Sequence, residues 1–144
     1  MNWYKLAQTY YTEEVAKNPN TDPKILAAIL SRGKDDYVSW GAAQNPSTPP
    51  EALAAILSRG KDDRVSRGAA QNPSTPPEAL AAILSRGKDD YVSYYAARNP
   101  SYLKYIEKIK AKEKQEKNEQ RLLYNQLRTQ ALQNINPISQ LEID

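Results

Sequence analysis

The chain has 144 residues and a net charge of +3, with no cysteine and no histidine. Disulfide frameworks, thiolate metal sites and histidine acid–base chemistry are therefore excluded, and the mild charge permits nucleic-acid binding without arguing for it. Ten tyrosines, two tryptophans and no phenylalanine give aromatic content of the amphipathic kind that suits a surface.

No apolar run is long enough to span a bilayer, and the N-terminus lacks the apolar stretch of a signal peptide. The expected location is the cytoplasm, or a particle assembled there, with no membrane partner. Residues 1–18 read as N-terminal capping helices. "MNWYKLAQ" supplies one with Trp3 and Leu6 facing in, and "YYTEEVAKN" another, with Val15 and Asn18 matching Ala42 and Asn45.

Residues 19–100 hold three copies of a 27-residue unit, marked by Asn-Pro pairs at Pro19, Pro46, Pro73 and Pro100. "NPSTPPEALAAILSRGKDD" runs from Asn45 and again, letter for letter, from Asn72. A fixed period of this length marks a stacked architecture, in which one unit cannot bury its apolar stripe alone. Each unit reads as two helices. The first opens on Thr48-Pro49-Pro50-Glu51, read as a capping box. It carries the stripe Leu53, Ile56, Leu57 and ends at Gly60, read as a left-handed C-cap glycine. Asp62 or Asp63 caps the second, whose inner face is Val65, Ala69 and Asn72, and Pro73 stops it. The recurring asparagine is expected to bond backbone across the turn.

Residues 101–135 read as a capping and projecting C-terminal helix. Tyr102, Leu103, Tyr105, Ile106 and Ile109 are expected to cover the last unit. "KAKEKQEKNEQR" is almost wholly polar, and nothing in it can pack. Leu123, Leu127, Ala131 and Ile135 then form a detached stripe suited to association with a second copy or a partner, or to folding back on the units. Residues 136–144 read as a flexible tail.

Asn-Pro-x-Thr-Pro, followed by Leu53, Ile56 and Leu57, then Val65, Ala69, Ala70, Asn72 and Pro73, resembles the leucine-rich repeat variant family over roughly residues 9–103. The resemblance implies an all-α fold, a right-handed superhelical solenoid related in shape to HEAT and armadillo stacks. The period here is longer, the additional residues falling around "SRGKDD". The iron–sulfur cysteines of one known member have no counterpart, so no cluster is implied.

The second and third copies differ at four positions only: Arg64 against Tyr91, Arg67 against Tyr94, Gly68 against Tyr95, and Gln71 against Arg98. The spacing i, i+3, i+4, i+7 is one helix face. The first copy places Tyr37 and Trp40 on that face. Tyr, Trp and Arg are the types enriched at binding hot spots. The face Tyr37, Trp40, Arg64, Arg67, Tyr91, Tyr94, Arg98 is therefore expected to bind another protein along a groove. Unselected drift at exposed positions, or contact of Tyr95 and Arg98 with the C-terminal helix, would also vary it. Against drift, positions expected to be exposed are unchanged between these copies, among them Glu51 and Glu78, Ser58 and Ser85, Arg59 and Arg86, Lys61 and Lys88.

Arginines among tyrosines also suit nucleic acid, and the "RGKDD" edges suit phosphates, but each is followed by two aspartates that cancel the field. The aspartates lack the alternating oxygen ligands of a calcium loop. No nucleophile–base pair, carboxylate dyad, phosphate loop or metal cluster is legible, so no cofactor and no catalysis are expected. A structural subunit of a larger assembly, such as a phage or virus-like particle, is the remaining class.

Overall fold

The computed structural model describes residue 2 and residues 12–143, excepting the side chains from 136 onward. Trp3 and Leu6 lie outside the described residues. Eight helices and no strand are present among those described: α1 (Glu13–Lys17), α2 (Pro23–Ser31), α3 (Tyr37–Gln44), α4 (Pro50–Ser58), α5 (Arg64–Gln71), α6 (Pro77–Ser85), α7 (Tyr91–Arg98) and α8 (Pro100–Ile143). The chain divides into two compact units, Met1–Tyr105 and Ile106–Asp144.

In the first unit α1, α3, α5 and α7 pack side by side, and α2, α4 and α6 pack against one another and each against the helix that follows it. The core lies between the two rows. Leu26, Leu53 and Leu80 are fully buried, with Ile29, Ile56, Ile83, Val65 and Val92 around them. Small residues let the α1–α7 row approach closely. A Cβ at Gly68 would stand 3.1 Å from the Ala43 Cβ and 3.1 Å from the Trp40 Cδ1.

The first helix of each copy stops as the sequence anticipates. Gly33, Gly60 and Gly87 have φ of 69°, 71° and 65°, a left-handed conformation that favours glycine. It starts differently. The N-cap of α4 is Pro49, with no side-chain cap, because the residue before Pro50 is forced into extended backbone. Thr48 is buried and its hydroxyl donates to the Ala42 carbonyl at the end of α3. Thr75 donates to Ala69 in the same way. The threonine thus ties the corner between helices instead of closing a capping box.

The second aspartate of each pair caps its own second helix: the Ser39, Ser66 and Ser93 amides donate to Asp36, Asp63 and Asp90. Burial opposes ionisation of Asp36 and Asp63. The serine amide and hydroxyl and the neighbouring arginine outweigh it, and both carboxyls lie below the usual carboxylate range.

The asparagine reaches further than its own turn. The Asn72 side chain donates to the Ala43 and Asn45 carbonyls of the preceding copy, at 2.7 and 2.9 Å. Asn45 does the same to Ala16 and Asn18, and Asn99 to Ala70 and Asn72. These bonds tie each copy to the one before it, and they put α1 in register with the later second helices.

Helix α8 starts in the first unit, where Tyr102 packs on the core and Leu103, expected to cover it, is 47% exposed. Ile109, expected to do the same, is also exposed. The helical backbone continues through Ile143, into the segment read from sequence as a tail from 136. No helix among the described residues is long and apolar enough to cross a membrane.

Candidate functional site

The rewritten positions belong to α3, α5 and α7, each held in place by its Asp cap and by the asparagine ladder. Two adjoining grooves collect them. The first, of ≈ 290 Å³, is lined by Tyr37, Trp40, Arg64, Arg67, Gln71 and Tyr95. The second, of ≈ 370 Å³, is lined by Tyr91 and Tyr94 together with Asp62, Asp89 and Asp90. Arg98 lies beside the second, its guanidinium 3.6 Å from the Tyr94 ring centre and donating to the Tyr94 carbonyl.

Contacts between copies order the side chains. The Arg64 guanidinium lies 4.6 Å from the centre of the Tyr37 ring, and Tyr37 meets Trp40 edge to face at 6.3 Å. Arg67 lies 4.5 Å from the Tyr91 ring and is held by the Asp62 carboxylate through two bonds of 3.1 Å. That pairing raises the Arg67 pKa further. Arg64 has no hydrogen-bond acceptor among the described residues. The first groove therefore presents a free guanidinium beside aromatic faces, and the second presents carboxylates beside aromatic faces.

Part of the variation has a packing cause. Trp40 leans over Gly68, where a Cβ would press on it and on Ala43 at 3.1 Å. In the next copy Arg67 swings onto Asp62 and Tyr91, and Tyr95 occupies the position of that glycine. Glu51, Glu78, Ser58, Ser85, Lys61 and Lys88 are exposed, as expected. Arg59 and Arg86 are not: both are half-buried, donating to the Ile56 and Ile83 carbonyls and to Asp63 and Asp90. Their constancy is structural and says nothing against drift. The same bonds occupy the "RGKDD" arginines with their own helix ends.

Helical spacing puts these Tyr, Trp and Arg residues on one face but says nothing of the aspartates that share it. Asp62 and Asp89 sit in loops, where a helical spacing rule cannot reach them. No group of three or more His, Cys, Asp or Glu among the described residues is arranged to hold a metal ion. Two further grooves between the first helices, of ≈ 240 and ≈ 260 Å³, are lined by alanines and a stop glycine together with Leu, Ile, Ser and Arg side chains. No family model, curated protein or solved structure matches the chain.

Proposed function

We propose that the chain is a non-catalytic protein-binding module, a right-handed α-solenoid of the leucine-rich repeat variant kind that acts in the cytoplasm. It binds its partner along the α3, α5 and α7 face through Tyr37, Trp40, Arg64, Arg67, Tyr91, Tyr94 and Arg98. One observation carries this reading: the second-helix positions at which the copies differ converge on two adjoining aromatic grooves of opposite charge, while the first copy's other differences, at Asn20, Asp22, Lys24 and Ile25, lie at or just before the start of α2. Such a surface suits a polypeptide carrying both signs of charge. A nucleic-acid backbone suits it poorly, because Arg67 is already held by Asp62 and three aspartates line the neighbouring groove. Binding should accordingly survive nuclease and lose less than about tenfold in affinity between 50 and 200 mM salt. A loss of about a thousandfold or more over that range would instead mark nucleic acid.

A second reading concerns α8. Leu123, Leu127 and Ile135 are 56%, 56% and 58% exposed, and Ala131 is exposed between them. An apolar stripe of this kind favours self-association, as a structural subunit of a larger assembly would require. Light scattering on the full chain at high concentration should give a multimer, and deletion of residues 111–144 should give a folded monomer. A monomeric full-length chain would end this second reading.

A further inference from the structure

The leading aspartate of the first two Asp-Asp pairs reaches forward into the next copy. The Val65 amide, in the first turn of α5, donates to Asp35 at 3.3 Å, and the Val92 amide, in the first turn of α7, donates to Asp62 at 3.0 Å. Asp89 is the third member of this series. It is exposed and has no hydrogen-bond partner among the described residues. The sequence says why no helix follows for it to cap. Where Arg59-Gly60 and Arg86-Gly87 stop the first helix, residues 113 and 114 are Glu and Lys. Helix α8 runs on, and the second helix of a fourth copy is not made.

The rest of the junction is also open. In the complete junction between α3 and α5, Trp40, Ala43 and Gln44 frame Gly68, their nearest atoms 3.1–3.4 Å from where its Cβ would be. Gly41 is framed by Ala16 and Lys17 in the same way. The equivalents on α7 are Tyr94, Ala97 and Arg98. Ala43 and Ala70 are 0% exposed, whereas Ala97 is only half-buried and Tyr94 is 50% exposed.

We propose that this open junction binds the N-terminus of a helix supplied by another protein. The helix would carry a free amide for Asp89 and, three residues on, a glycine for the Tyr94, Ala97 and Arg98 frame. Charge complementarity favours this occupant, since a helix N-terminus is positive and Asp62, Asp89 and Asp90 lie beside the site. A second copy of the chain is a poor occupant. The helices that carry such a glycine, α3 and α5, already press it against α1 and α3, and the α5 amide is already held by Asp35. The proposal goes beyond the recognition face, sharing Tyr94 and Arg98 with it but needing neither Tyr37 nor Arg64.

The probe is a synthetic peptide of residues 61–72, held helical by a hydrocarbon link replacing the side chains at 64 and 71. In it Asp63 caps the Ser66 amide, the Val65 amide is free, and Gly68 stands three residues on. Fluorescence anisotropy with the full chain should show saturable binding. Asp89→Ala should weaken it about tenfold, roughly the size of a lost cap. Ala97→Leu in the chain, or Gly68→Leu in the peptide, should abolish it. Tyr37→Ala and Arg64→Ala should leave it unchanged, which separates this result from the fate of the recognition face. Absence of saturable binding up to about 1 mM peptide would overturn the proposal, as would equal affinity for the Gly68→Leu peptide or for a chain carrying Asp89→Ala. Because Asp89 makes no bond within the fold, its alanine variant tests the proposal even if Ala97→Leu fails to fold.

Discussion

Leu53→Ala is expected to destabilise the chain by about 2–5 kcal/mol, since the side chain is 0% exposed and its removal leaves a cavity that neighbouring helices cannot close. Folded domains hold only about 5–15 kcal/mol in all, so the loss is a large fraction of the total. Denaturant unfolding should show it as a lower midpoint with little change in slope. The copies supply their own control. Leu57 is 3% exposed, but its equivalent Leu84 is only half-buried, so Leu57→Ala should cost clearly more than Leu84→Ala. Equal costs would mean that the fold does not bury its copies in succession.

Asn72→Ala should cost about 2–4 kcal/mol although it removes only three heavy atoms, because the loss is of hydrogen bonds within a buried site. The side chain donates to the Ala43 and Asn45 carbonyls and accepts from the Ser74 amide. Its removal leaves the buried Ala43 carbonyl without that donor and the Asn45 carbonyl with the Thr48 amide alone. Asn72→Asp is the sharper test. It keeps the shape but cannot donate when ionised, and it sets a negative charge against two carbonyl oxygens. It should be at least as destabilised as Asn72→Ala at neutral pH and recover in part on acidification, when the protonated carboxyl regains one donor. A stable Asn72→Asp chain would show that the ladder does not hold the copies together.

The reach of that asparagine is one thing the sequence did not disclose. Its recurrence before each proline announced a structural role, and Asn-Pro pairs fit a tight corner. The partner carbonyls, however, lie 27 and 29 residues earlier, and no local rule points to them. The helices and their glycine stops were legible because periodicity and left-handed geometry are local. The capping box failed on a local detail as well: Pro50 forces Pro49 out of the helix, and Thr48 is left to bond backward. At the candidate site, helical spacing put Tyr37, Trp40, Arg64 and Arg67 together. It could not place Asp62, which both caps Val92 of the next copy and holds Arg67 of its own. Nor could it show that Trp40 and Gly68 vary under a shared packing constraint.

The central proposal is that the copies share one scaffold and differ in a protein-recognition face. The most direct test replaces the exposed members of that face and spares those that also support the fold. Trp40 leans on Gly68 and Arg67 is held by Asp62, so the variant to make is Tyr37→Ala, Arg64→Ala and Tyr94→Ala together. These side chains are exposed and lie outside the buried core cluster, so the melting temperature should move by no more than a few degrees. Quantitative pull-down from a lysate of the source cells, wild type against variant, should show the partner recovered by the first and lost by the second. Equal recovery by a variant that is still folded would contradict the account.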